Sequence, residues 1–142
     1  MKVLVAICVL ISLASAEYVL KNRDNMLAYR DECVKELGVP ADLVEQYTKW
    51  QYPNDAKTQC YIKCVFTKWG LFDVQTGFSV ENIHQQLELG HADHNEAMHS
   101  SIAACVDKNE QGSNACEWAY RGATCLLKEH LQKIQKSLAP KA

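Results

Sequence analysis

Cys33, Cys60, Cys64, Cys105, Cys116 and Cys125 carry the chemistry most readable in this chain, with 26, 3, 40, 10 and 8 residues between them. Thiols in such a set can bridge, ligate a metal or act singly as nucleophiles, and the redox compartment decides which. Residues 1–16 read as an export leader. Lys2 supplies the positive start, Val3 to Leu13 is an apolar run broken by one serine, and Ala14-Ser15-Ala16 is a small-x-small cleavage site. The run is too short to span a bilayer. Cys8 leaves with the leader, so the mature chain keeps six of seven cysteines. In an oxidising compartment these six imply three disulfides and no free thiol to act as a nucleophile.

Other reactive constellations are few. The sequence contains no Gly-x-Ser-x-Gly, His-Glu-x-x-His or phosphate loop, so no enzymatic activity and no cofactor are expected. His84, His91, His94 and His99 gather in one stretch. His91-Ala-Asp93-His94 offers ligands at helix spacing, but a zinc site needs four convergent ligands, so no metal site is assigned. The same histidines could serve as a pH-responsive latch, because imidazole titrates near neutrality, or lie solvated on the surface. The formal net charge is −2, and losing Lys2 makes the mature chain slightly more acidic. That excludes the basic footprint of a nucleic-acid or anionic-membrane binder. No second long apolar run follows the leader, so a secreted, extracellular protein is expected, with residues 17–142 as one domain.

The elements that must position the cysteines read as helices. Asn22 or Asp24 caps a first helix bearing Met26, Leu27, Arg30, Cys33, Val34 and Leu37, and Gly38 ends it. A short second helix follows Pro40, with Leu43, Val44 and Tyr47 on one face. Asp55 caps a third helix that Gly70 stops after Trp69. Leu71-Phe72-Asp73 and Thr76-Gly77-Phe78 read as a loop. Ser79 caps a fourth helix with Val80, Ile83 and Leu87 inward, ended by Gly90. A fifth runs from about Ala92 to Asp107, with Met98, Ile102 and Cys105 on its apolar stripe. A sixth spans Ala115 to about Leu131, apolar nearly all round and therefore central. The tail beyond it, Gln132 to Ala142, keeps Ile134 and Leu138 among lysines and ends in a Pro-containing flexible stretch.

Helix geometry limits the bridges. Cys60 and Cys64 are four apart on one helical face, with side chains too nearly parallel to pair. Cys116 and Cys125 leave opposite faces of the sixth helix, roughly 13 Å apart along its axis. Ten of the fifteen pairings open to six thiols survive both exclusions. Every survivor sends two bridges from the third helix to other segments of the chain.

The cysteine spacing, the segment Cys60-Tyr-Ile-Lys-Cys64-Val-Phe-Thr-Lys-Trp-Gly70-Leu-Phe-Asp73, and the pairs Gly77-Phe78 and Cys116-Glu-Trp-Ala-Tyr120 resemble the insect odorant-binding proteins, the pheromone- and general-odorant-binding superfamily. The resemblance covers residues 20 to 131. It implies an all-α fold of six helices around an internal hydrophobic cavity. It also implies the pairing Cys33–Cys64, Cys60–Cys116 and Cys105–Cys125. The implied function is carriage of a small hydrophobic molecule (odorant, pheromone, fatty acid or similar lipid) through aqueous fluid in chemosensation, with a chemosensory membrane receptor as a further partner.

Phe66, Trp69, Phe72, Phe78, Met98, Ile102, Trp118, Leu126, Leu127 and Leu131 are the apolar candidates for the walls of such a cavity, each weighed against ordinary core packing. Thr67 and Tyr120 are the candidate hydroxyls for a ligand head group, since such pockets place few polar groups in an apolar wall. Other disulfide-rich helical proteins fit less well. A secreted phospholipase A2 would need a Cys-Cys-x-x-His-Asp helix and a Gly-rich calcium loop, both missing. Saposin-like proteins cluster paired cysteines near both ends, and plant lipid-transfer proteins carry Cys-Cys and Cys-x-Cys motifs. The serious alternative is a secreted carrier outside olfaction, or a signalling protein with a vestigial cavity.

Overall fold

The computed structural model describes residues 17–89 and 95–139. Six helices form within them: α1 (Arg23–Leu37), α2 (Ala41–Thr48), α3 (Ala56–Trp69), α4 (Val80–Leu87), α5 (Glu96–Cys105) and α6 (Ala115–Ser137). Short polar side chains start most of them by accepting a backbone N–H of the first turn. Asn22 does so for α1, Asp55 for α3, Ser79 for α4, Asn95 for α5 and Asn114 for α6. At α1 the cap is reciprocal, because Asn25 accepts from the Asn22 N–H. Gly70 closes α3 at φ 81°, a left-handed conformation open to glycine at little cost.

Three elements differ from the sequence expectation. The stretch read as a loop carries a minimal antiparallel pair, β1 (Phe72–Asp73) with β2 (Gly77–Phe78), in which Phe72 faces Phe78. Two residues per strand are too few for an alternating pattern to register. The Asp73 carboxylate holds the turn by accepting from the N–H groups of Gln75 and Thr76. Helix α5 is shorter than expected, since Asn95 caps it and Val106 is already extended. Helix α6 is longer. It bends at His130, whose φ is −129°, and continues to Ser137. Ile134 and Leu138, expected in a tail beyond the helix, are buried and keep the apolar stripe going past the bend.

The core lies where α6 packs against α3, α4, α5 and the hairpin, with α1 on the outer side of α3. Close approaches seat the hairpin on α6. A Cβ on Gly77 would run into the Trp118 ring, and one on Gly122 would come within 2.5 Å of Phe78 Cε2. Phe72 meets both Phe78 and Trp118 edge to face, at ring-centre distances of 4.9 and 5.3 Å. On the opposite side Tyr47 and Tyr61 stack at 4.2 Å, and Tyr47 Oη lies 2.7 Å from Thr58 Oγ1. These contacts fix α2 to α3.

The disulfides are Cys33–Cys64, Cys60–Cys116 and Cys105–Cys125, the pairing implied by the resemblance, with Cα–Cα distances of 5.9, 4.6 and 5.4 Å. They run α1 to α3, α3 to α6, and α6 to α5. Four helices are thus covalently chained, whereas α2, α4 and the hairpin are held by packing and hydrogen bonds alone. Each closure removes about 3 to 4 kcal/mol of denatured-state freedom in the chain-entropy argument.

Candidate functional site

Ile62, Val65, Phe66 and Trp69 fall at i, i+3, i+4 and i+7 on α3, so they form one stripe, and all four are buried. Two small voids flank this stripe. The first, about 20 Å³, lies among these four residues, Met26 and Arg30 of α1, Trp50, Tyr52, Tyr61 and Leu127. The second, about 10 Å³, lies on the side of α4 and α6, bounded by Leu71, Ile83, Gln86, Leu87, Leu126 and Ile134. Phe66 and Trp69 border both and form the partition between them. Along this stripe the described residues enclose two water-sized voids.

Among the polar groups of these walls the Gln86 amide is engaged at both ends. Gln86 is 1 % exposed, and its Oε1 accepts from Tyr18 Oη and from the Lys21 N–H, both at 2.9 Å. Its Nε2 donates to the Lys21 carbonyl at 2.9 Å. The segment before α1 is thereby strapped over the second void. Burial raises the Tyr52 phenol well above its ordinary value, so it stays neutral. Burial likewise raises Tyr61, partly offset by Arg30. Arg30 is the one charged side chain on the first wall. The indole N–H of Trp69 is buried without a hydrogen-bond partner. A larger, more open groove of about 530 Å³ between the N-terminal segment and the end of α6 mixes Leu20, Leu89 and Ala139 with Lys21, Arg23, Asp24 and Lys136.

The structure distributes the sequence candidates unevenly. Phe66 and Trp69 line both voids, Leu127 the first and Leu126 the second. Phe72, Phe78 and Trp118 form the edge-to-face cluster that seats the hairpin. Met98 and Ile102 are buried on the inner stripe of α5, and Leu131 is half-buried. Thr67 does not belong to the interior. It sits one position, about 100° of helix, past Phe66, is exposed, and donates back to the Lys63 carbonyl at 2.7 Å. The Tyr120 hydroxyl donates to the Tyr52 carbonyl at 2.8 Å, so its proton is engaged and only its oxygen is left to accept from a head group. Missed by the sequence reading were Ile62, Val65, Tyr61 and Leu71. The first two were legible as the continuation of the Phe66–Trp69 stripe.

Of the histidines, His84 is buried and faces His99 with ring centres 6.0 Å apart. His91 and His94 lie outside the described residues, as do Asp93 and Gly90. Among the described residues no group of three or more His, Cys, Asp or Glu converges on a metal position. No helix there is long and apolar enough to cross a membrane.

The sequence model of the PBP/GOBP family matches residues 15–129. General odorant-binding protein 99a of Drosophila melanogaster is 84% identical over 142 residues, covering 100% of both chains. Odorant-binding protein 22 of Aedes aegypti is 44% identical over 138 residues, covering 97% of this chain and 98% of its own. The fold is similar to the crystal structure of Anopheles gambiae odorant-binding protein 22a with bound odorant cyclohexanone, with a TM-score of 0.65 at 20% identity over 78% of this chain and 96% of that one. The disulfide frame, the helical bundle and these end-to-end likenesses agree: the chain belongs to the PBP/GOBP family of odorant-binding proteins, which bind and carry and do not catalyse.

Proposed function

We propose that the protein is a secreted carrier that reversibly binds one small, largely apolar molecule within the bundle, astride the α3 stripe, and moves it through extracellular fluid in chemosensation. Cleavage after Ala16 would release it, and a chemosensory membrane receptor is the proposed recipient of its cargo. The observation that carries this reading is the partition. Two apolar voids share one wall, Phe66 and Trp69, and the second void is roofed by α4, which no disulfide holds. Separating that wall and lifting α4 joins the two voids while the stapled helices keep their places.

Burial of apolar ligand surface gains about 25 cal/mol per Å². A few hundred Å² then yields several kcal/mol before ordering costs, in the range of micromolar binding. Selectivity among chain lengths is modest, because one methylene is worth about 0.8 kcal/mol. Cyclohexanone, named with the Anopheles structure, is a molecule of this general kind.

The test is displacement of an apolar fluorescent probe from delipidated protein by long-chain alcohols, esters and fatty acids. Displacement at micromolar concentrations is expected. The small size of the voids favours a second reading, a secreted signalling or interaction protein with a vestigial cavity. Failure of every apolar ligand to bind, together with no apolar material co-purifying from the native source by mass spectrometry, would leave that reading in place.

A further inference from the structure

Trp69 and Trp118 are equally out of reach of water, at 2 % and 6 % exposure, yet their indole groups are treated differently. The Trp118 N–H donates to the Asp107 carbonyl at 3.1 Å. The Trp69 N–H has no acceptor. Buried tryptophans normally find a partner for this proton, and an orphan donor in a well-packed core calls for an explanation. The neighbouring polar side chain cannot supply one as it stands. Gln86 borders the second void with Trp69, but its oxygen already accepts from Tyr18 and Lys21.

Resting on the carrier reading above, we propose that the indole N–H of Trp69 is the polar anchor of the ligand site, and that it selects apolar molecules carrying an uncharged hydrogen-bond acceptor, such as a ketone, ester or ether oxygen. Three features fix the class. The orphan group is a donor only, so it rewards an acceptor and gives nothing to a hydrocarbon. On the side of the second void its surroundings are the Phe66 ring and the aliphatic side chains of Leu71, Ile83 and Leu126, with no charged group, so a carboxylate there would be desolvated without a counter-charge; Arg30 stands only on the wall of the first void. The residue also forms half of the partition between the voids, so a molecule that joins them meets Trp69 whichever end enters first.

A lone water could satisfy the N–H, since the first void is large enough for one. A ligand oxygen then has to replace that water, and a ketone would gain little over an alkane. The two outcomes separate cleanly.

The experiment measures displacement of the apolar probe by a straight-chain ketone and by the alkane of equal length, in the full mature protein and in Trp69→Phe, which keeps a ring and removes the donor. The ketone should bind about tenfold better than the alkane in the natural protein, the range of one buried hydrogen bond. In Trp69→Phe the smaller ring shifts the affinity of both compounds together, and the roughly tenfold ratio of ketone to alkane should fall to about one. Indole ¹⁵N–¹H spectra of the natural protein give an arm that needs no variant. The Trp69 resonance should move downfield with the ketone and not with the alkane, while the Trp118 resonance stays in place. Equal binding of ketone and alkane, a ketone advantage that survives Trp69→Phe, or an unmoved Trp69 resonance overturns the anchor and leaves the carrier intact. Failure of both compounds to displace the probe overturns the carrier reading and the anchor with it.

Discussion

Gln86 and Lys21, 65 residues apart, exchange two hydrogen bonds: the Gln86 amide oxygen accepts from the Lys21 N–H and its amide nitrogen donates to the Lys21 carbonyl, both at 2.9 Å. A side chain here completes a piece of backbone that has no strand to pair with. Tyr18 reinforces the strap through Gln86 Oε1 and, at 3.3 Å, the Trp69 carbonyl. Gln86→Leu keeps the volume and removes every one of the amide's bonds. Stability should fall by about 1 to 3 kcal/mol, the cost of unmaking buried hydrogen bonds. Residues 17–22 should become sensitive to protease while the rest of the bundle resists. Denaturant unfolding and limited proteolysis check this, and an unchanged cleavage pattern would show that the strap is held by something else.

The three closures should not be equal. They span 56 residues for Cys60–Cys116, 31 for Cys33–Cys64 and 20 for Cys105–Cys125. Paired Cys→Ala variants should lose about 4 kcal/mol for the longest and about 3 kcal/mol for the shortest. Thiol titration of the denatured, unreduced mature protein should read near zero. A peptide map linking Cys33 to Cys125 would overturn the assignment.

Acid should loosen the connection between α5 and α6. Arg121 grips both oxygens of Asp107, at 2.7 and 2.9 Å, and this contact holds the carboxyl below its ordinary range. A carboxyl depressed in the folded state stabilises fully above its unfolded pKa of about 4, and the gain disappears as pH falls through the folded value. The Asp107 side chain is 39% exposed, so the contribution should stay below about 1 kcal/mol. Asp107→Asn should therefore cost stability at pH 7 and cost progressively less as the pH is lowered below 4. Unfolding curves at several pH values test this, and a deficit independent of pH would assign the loss to packing.

Neighbours on α3 should behave oppositely. Phe66→Ala removes half of the partition, so stability should fall by about 3 to 5 kcal/mol. An apolar probe should nevertheless occupy the enlarged space at lower concentration. Thr67→Ala touches only an exposed hydroxyl, so both stability and probe affinity should change little, within about 0.5 kcal/mol. Loss of binding in Thr67→Ala would return that hydroxyl to the site.

Much of the frame is written in local signals. Asn22, Asp55 and Ser79 announce helix starts by chemistry that acts within three residues, and Gly38 and Gly70 end helices by a conformation that other residues resist. The hairpin escapes such signals, because its two rungs are stabilised by Phe78 and Trp118 packing across the molecule. The continuation of α6 past Leu131 escapes them too. Lysines surround Ile134 and Leu138, and only tertiary contact turns those two residues inward. The site is half legible for a related reason. Periodicity tells that Phe66 and Trp69 face in and Thr67 faces out, but it does not tell which inward faces fail to close on one another.

The seating of the hairpin on α6 also bears on how such chains diverge. Each partner yields room to the other's ring: Gly77 to Trp118, and Gly122 to Phe78. Neither glycine can gain a methyl group until the ring opposite has shrunk, and a smaller ring beside an unchanged glycine leaves a hole. The four positions are therefore two reciprocal pairs, and drift at one member constrains what its mate can become. Lineages that carry this hairpin should show bulk passing back and forth between positions 122 and 78, whereas Gly77, at φ 82°, should stay glycine whatever ring stands opposite.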